Sequence, residues 1–176
     1  MLRFDVCSVN EHTSQQLPQE WWSTTFREAI CEMGHTGMVL SPWDKPVPLT
    51  RAWCLWEMYC TVDTGARFSV CLSTAQRAAF EVAIAENWQA AQDAFAHIRV
   101  QDAEAGSEDD KTMIFAAVEA CEGGFNRMDT LALGCMREWF QQTVRMMHSD
   151  QAHSTVFVVV HCTVEPGFCM VCGIYW

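Results

Sequence analysis

The hydrophobic pattern along the first hundred residues predicts strands that alternate with helices. Short apolar runs typical of buried strands are separated by stretches in which apolar residues recur every three or four positions, as in amphipathic helices. Alternation of this kind favours a parallel sheet with right-handed crossover connections, and so an α/β fold. In order along the chain, the predicted segments are 2–9, 20–33, 37–41, 50–63, 67–73 and 74–98.

Two more helices are predicted to follow as a hairpin. Residues 98–100 are a candidate short strand, and the acidic run 101–110 has the composition of a solvated loop. Asp109 or Asp110 can cap a helix that continues to Glu122, and Asn126 can cap a second helix that continues to about residue 147. The glycine pair at 123–124 separates the two helices, so the predicted α/β domain spans residues 1–147.

The segment 148–176 is predicted to be a separate apolar tail. Val156–Cys162 and Phe168–Trp176 are apolar, and Glu165-Pro166-Gly167 lies between them. Two apolar runs around a turn predict a β-hairpin. Cysteines at 169 and 172 form one Cys-x-x-Cys pair, but a single pair does not specify a zinc site. We therefore predict no metal.

The stretch 41–60, SPWDKPVPLTRAWCLWEMYC, contains the strongest candidate for chemistry. Its three prolines predict an extended loop, followed by a helix that begins near Thr50 as the N-cap and stops at Gly65. On that helix Glu57 lies about 40° from Trp53, at the border of the apolar stripe. Burial beside an indole disfavours a charged carboxylate, so Glu57 either holds a proton more tightly or needs a partner such as Arg51. The alternative is an ordinary rim residue.

The residues RAWCLWE at 51–57, after a strand that ends in Ser-Pro and a proline-rich turn, resemble the central box of Toll/interleukin receptor (TIR) domains. Plant-type members open this helix with Trp-Cys-Leu-x-Glu. More narrowly, FDVCSVNEH, WWSTTFREAI, PWDKPVPLTRAWCLWE and FSVCLS resemble the TIR-like module that precedes kinesin-light-chain-type tetratricopeptide arrays. The run DDKTMIFAAVEACEGGFNRMDTLALGCMREW is similar to the C-terminal part of that module.

The resemblance implies a TIR/flavodoxin-like parallel sheet with flanking helices. Such a fold begins with a central parallel strand and a helix, and neither is found before Leu2. We therefore expect the first strand to be missing.

For activity, the resemblance implies a TIR-type NAD+ hydrolase in which Glu57 is the catalytic glutamate. NAD+ would be the substrate, and no cofactor is implied. A fixed anion suits this reaction because cationic nicotinamide leaves through an oxocarbenium-like transition state. The predicted substrate-binding residues form two sets. Two tryptophans and an arginine lie in or beside the central box. Two polar residues lie near the end of the first strand, where open sheets place their ligand crevices. These residues are Trp43, Arg51, Trp53, Asp5 and Asn10.

The second implied function is an interaction module for intracellular signalling or assembly. It would associate with copies of itself or with other TIR-like domains, and the proline-rich loop Trp43–Leu49 is the natural contact. The position of Glu57 separates the two functions. A carboxylate that faces a cavity favours hydrolysis, whereas a carboxylate buried against Arg51 favours the module.

Composition narrows the choice of partners and compartment. The 176 residues carry a formal net charge of −11, which repels nucleic acid and anionic membrane surfaces. The ten cysteines are spaced like core residues rather than like a disulfide framework, so we expect reduced thiols. We find no signal peptide and no apolar run that could span a membrane. The predicted location is the cytoplasm.

Overall fold

The computed structural model describes residues 3–4, 24–150 and 168–171, which form a parallel sheet surrounded by helices. This arrangement confirms the predicted α/β class. The strands are β1 (Arg3–Phe4), β2 (His35–Val39), β3 (Arg67–Cys71) and β4 (Phe168–Val171). The helices are α1 (Thr25–Met33), α2 (Ala52–Asp63), α3 (Thr74–Asp93), α4 (Glu108–Ala120) and α5 (Gly124–Asp150), with short 3-10 turns at Val47–Thr50 and Val100–Asp102.

The sheet has the order β1-β4-β2-β3, and every neighbouring pair is parallel. β2 pairs with β3 from His35 opposite Arg67 to Val39 opposite Cys71. The other edge of β2 pairs with β4. The last described strand of the chain therefore lies in the interior of the sheet, in contact with the first.

The pairing of β4 corrects the predicted β-hairpin. One edge of β4 pairs in parallel with β1 and the other with β2. An antiparallel hairpin partner needs one of these edges, so the hairpin is wrong for Phe168–Val171. The predicted first arm, Val156–Cys162, lies outside the described residues. β4 also occupies the interior position beside β2.

Glycines end the helices much as the sequence predicts, whereas the cap of α2 differs. Gly34 follows α1 with φ 69°, and Gly65 lies two residues beyond α2 with φ 74°. These angles belong to the left-handed region that suits glycine. The predicted N-cap Thr50 is wrong, because α2 begins at Ala52 with Arg51 as its N-cap. The Thr50 hydroxyl donates instead to the carbonyl oxygen of Val47, 2.9 Å away, within the 3-10 turn.

Helix α3 is broken at Asn87, which has φ −156° and ψ 83°. The Asn87 side-chain oxygen accepts a hydrogen bond from the Ala90 amide at 3.2 Å and so caps the second half of the helix. Spacing within 74–98 predicts one apolar stripe that includes Phe80, Trp88 and Ala91. Phe80 and Ala91 are buried, but Trp88 is 54% exposed. A continuous stripe was the wrong prediction at Trp88, because the break rotates this residue out of the core.

The helical hairpin is confirmed, with small changes at its ends. α4 and α5 pack together around a turn in which Gly123 has φ 80°. Ser107, rather than Asp109 or Asp110, caps α4 by accepting from the Asp110 amide. The candidate strand at 98–100 does not form, because the Val100 amide donates to the Asp129 carboxylate at 2.7 Å.

Three helices meet at one carboxylate. Asp63, at the end of α2, accepts hydrogen bonds from Arg27 of α1 and from Arg127 of α5, the latter at 2.9 Å. The Asp63 side chain is only 16% exposed, whereas both arginines are more than 40% exposed. Charge-assisted bonds to a partly buried acceptor stabilise more than surface pairs do.

Replacing Asp63 with alanine is expected to lower the free energy of unfolding by about 1–2 kcal/mol, because two guanidinium groups lose their acceptor. Urea denaturation measures this change. Asp102→Ala is the matched control, since Asp102 is 72% exposed and lies 3.7 Å from Arg99. We expect that variant to change stability by no more than about 0.5 kcal/mol. Equal effects of the two substitutions would contradict a stabilising role for the hydrogen bonds that Asp63 accepts from Arg27 and Arg127.

Candidate functional site

Glu57 is an interior residue of α2. Nine of the twelve residues of this helix are buried, which leaves little of its surface for a ligand. The helix packs against β2 and β3 and against α1, α4 and α5. Glu57 itself is 6% exposed.

Hydrogen bonds of a buried threonine pair fix the position of Glu57 along the direction of β2. Thr61 Oγ1 lies 2.7 Å from Thr36 Oγ1 and 2.7 Å from the carbonyl oxygen of Glu57. A hydroxyl has one hydrogen to give, so both contacts are hydrogen bonds when Thr36 donates to Thr61 and Thr61 donates to the carbonyl. α2 runs antiparallel to β2. Glu57 precedes Thr61 by about one helical turn, and this rise places it about level with Met38, two residues after Thr36. The Glu57 backbone therefore lies level with the next-to-last residue of β2, close to the carboxyl end of the strand.

Trp53 lies on the same side of the helix axis as Glu57, whereas Arg51 does not. Trp53 is half-buried against the core and precedes Glu57 by four residues, so both lie on one side of α2. Arg51 precedes Glu57 by six residues, which separates them by roughly 9 Å along the axis and about 120° around it. The Arg51 backbone faces Glu104, in an isolated parallel bridge. Helix geometry thus groups Trp53 with Glu57 and sets Arg51 apart.

Trp43 is held against α3. Its backbone amide donates to Gln76 Oε1 at 2.7 Å, and its ring meets the edge of Phe80 with centroids 5.1 Å apart. Gln76 and Phe80 were not predicted as partners of the loop, because no local pattern links residues more than thirty positions apart. Asp5 and Asn10 lie outside the described residues.

Two other titratable side chains of α2 hold their protons tightly. Burial, together with a hydrogen bond to Cys121, raises the pKa of Tyr59 to about 12. Burial also raises the pKa of the Cys60 thiol, and the negative charge of Glu57 adds to this effect. A thiol that stays protonated is a poor nucleophile, so Cys60 is a core residue rather than a reactive one.

The described residues give no sign of a metal centre or a membrane span. Among them, no three His, Cys, Asp or Glu side chains come together to hold an ion. No helix in the same part of the chain is long and apolar enough to cross a bilayer. Comparison of the chain with protein-family models, with curated proteins and with solved structures finds no match.

Proposed function

We propose that this chain is a TIR-like signalling module that assembles with copies of itself or with other TIR-like domains through the loop Trp43–Leu49. The observation that carries the proposal is the anchoring of this loop. Its first residue is bound to Gln76 and packed on Phe80, and its last, Leu49, is 6% exposed. Between these anchors Asp44 and Lys45 are exposed.

A loop held at both ends suits association. Binding normally costs the entropy of ordering loops and side chains at the interface, and a loop fixed beforehand avoids much of that cost. Prolines at 46 and 48 are buried and restrict the backbone further. The adjacent opposite charges of Asp44 and Lys45 can pair with a complementary surface and fix its register.

The burial of Glu57 favours the assembly module over the hydrolase. A catalytic carboxylate has to reach the ribose of NAD+, and Glu57 is 6% exposed inside a largely buried helix. Glu57 is buried, as expected for a module, although helix spacing sets it apart from Arg51, the partner expected there. Six cysteines between residues 24 and 150 are free thiols, which also suits a reducing compartment.

Charge reversal in the loop tests the proposal. We expect Asp44→Lys and Lys45→Glu each to weaken self-association about tenfold, because like charges then meet across the interface. Sedimentation velocity over a range of protein concentrations measures the change. Glu119→Lys is the matched control, since Glu119 is an exposed acidic residue on α4 rather than in the loop. This variant should leave association unchanged.

Two results would overturn the assembly proposal. The first is association that responds to the loop variants no more than to the control. The second is NAD+ consumption by the purified protein that is lost in Glu57→Gln while circular dichroism shows an intact fold. That second result would make the chain an enzyme with Glu57 at its centre.

A further inference from the structure

A histidine–serine pair links the adjacent strands β2 and β3. His35 Nε2 lies 2.7 Å from Ser69 Oγ. In the register of the sheet His35 lies opposite Arg67 and Gly37 lies opposite Ser69, so the imidazole reaches diagonally to the next residue pair. Gly37 has no side chain that could block this path. Because His35 and Ser69 are 34 positions apart, the pairing of the two strands is what brings them together.

The histidine–serine pair lies on the face of the sheet that points away from α2. Side chains alternate between the two faces along a strand. Thr36 is hydrogen-bonded to Thr61 of α2, so His35 points to the opposite face, where it meets Ser69. Both residues of the pair are half-buried, whereas Thr36 and Met38 on the α2 face are completely buried. The pair is therefore partly accessible to solvent in the folded chain.

The distance between Ser69 and His35 suits proton transfer. A general base must lie within about 2.6–3.2 Å of the group whose proton it takes. When the imidazole carries its own proton on Nδ1, its Nε2 accepts a hydrogen bond from the Ser69 hydroxyl. As Oγ forms a bond to an electrophilic carbon, the hydroxyl proton passes to Nε2. A hydrogen-bonded serine and histidine thus make a nucleophile from a group that is otherwise weakly reactive.

Arg67 adds a positive charge beside the pair. It is exposed, lies directly opposite His35 and precedes Ser69 by two residues, so all three residues are on one face of the sheet. A guanidinium group pairs with a carboxylate through two parallel hydrogen bonds. The chain as a whole has a net charge of −11, which repels anions, and a local cation offsets this repulsion. The arrangement suits a substrate that carries a carboxylate a few atoms from its reacting carbon.

We propose that Ser69 and His35 act as nucleophile and general base in the hydrolysis of carboxylic esters, with Arg67 binding a carboxylate of the substrate. In the first step Ser69 Oγ bonds to the ester carbon and its proton passes to His35. The carbon–oxygen bond of the ester then breaks, and the alcohol leaves with that proton. In the second step water attacks the acyl-serine and gives a proton to His35, and the acid is released as this proton returns to Ser69. This activity goes beyond the proposed function, and it can be measured whether or not the chain associates.

Labelling of the full chain with a fluorophosphonate tests the nucleophile, because this reagent reacts with activated serines and mass spectrometry identifies the labelled residue. We expect label on Ser69 and none on Ser73, the matched internal control. Ser73 is exposed, but its oxygen accepts from the Gln76 amide at 3.3 Å. His35→Gln should slow labelling by roughly a hundredfold or more, because glutamine can keep a hydrogen bond but cannot take the proton. Label on no serine, or equal label on Ser73, would overturn the proposal.

Hydrolysis of two nitrophenyl esters tests the substrate class. The probes are p-nitrophenyl acetate, which is neutral, and mono-p-nitrophenyl succinate, which carries a carboxylate. Ser69→Ala should abolish turnover of both esters while circular dichroism shows an intact fold. Arg67→Gln should raise KM for the succinate ester about tenfold more than KM for the acetate ester, because only the succinate ester has a carboxylate to lose its partner. Turnover that survives in Ser69→Ala would overturn the activity, and equal effects of Arg67→Gln on the two esters would overturn the carboxylate-bearing substrate.

Discussion

A chain that ends at residue 167, and so lacks β4, is expected to lose its cooperative unfolding transition. β4 pairs with β2 over four residues and with β1 over two. Each lost backbone hydrogen bond costs about 1 kcal/mol, and leaving its partner unsatisfied costs about 1–3 kcal/mol. Removing several at once approaches the roughly 5–15 kcal/mol that holds a whole domain together. Thermal unfolding followed by circular dichroism measures the loss.

Two further variants separate the loss of pairing from the loss of chain length. Met170→Pro keeps the length but removes a donor from an interior strand, and it should destabilise by about 3 kcal/mol. Adding a synthetic peptide of residues 164–176 to the shortened chain should restore part of the transition. A shortened chain that melts like the full chain would show that β4 is dispensable and would contradict its interior position.

Phe80→Ala is expected to lower the free energy of unfolding by about 3–5 kcal/mol, the range for emptying a buried aromatic site. Phe80 is fully buried, and its ring packs against four other aromatic rings with centroids 5.1–6.4 Å apart. Chemical denaturation measures the change. The four neighbouring rings are Trp43, Phe95, Trp139 and Phe140.

Trp88→Ala is the matched control for Phe80→Ala. Both residues belong to α3 and to the same predicted stripe, yet Trp88 is 54% exposed. Its removal should change stability by no more than about 0.5 kcal/mol. If Trp88→Ala proved as damaging as Phe80→Ala, the break at Asn87 would not exist in solution and α3 would be one continuous helix.

Local features of the fold were predictable because their causes are local. Glycines at 34, 65 and 123 take positive φ at or near helix ends, as the sequence suggests. The spacing around Glu57 likewise predicted an apolar stripe on this helix, and nine of its twelve residues are buried. Such signals depend on neighbours within a few residues, so they can be recognised without the fold.

Features that depend on distant partners were not predictable. The hairpin prediction for 168–176 used only the adjacent turn, whereas β4 pairs with strands more than 130 residues earlier. Asn87 looked like an interior helix residue because its capping role appears only once the helix breaks. The strand at 98–100 failed because Asp129 takes the amide of Val100.

The candidate site was predictable in outline only. Helix spacing placed Glu57 at the border of an apolar stripe and beside Trp53. Which elements cover that border depends on how α1, α4 and α5 pack around α2, and no spacing within residues 50–63 contains this information. The same limit applies to Trp43, whose partner Gln76 lies 33 residues away.

The sheet order also has a consequence for synthesis. During translation β2 and β3 can pair early, but the edge of β2 that later receives β4 stays open until residue 171 has been made, 132 residues after β2 ends. At about 5–20 residues per second this delay is roughly 7–26 s. An open strand edge invites pairing with other chains. The nascent protein therefore has a long interval in which a chaperone would protect it from aggregation.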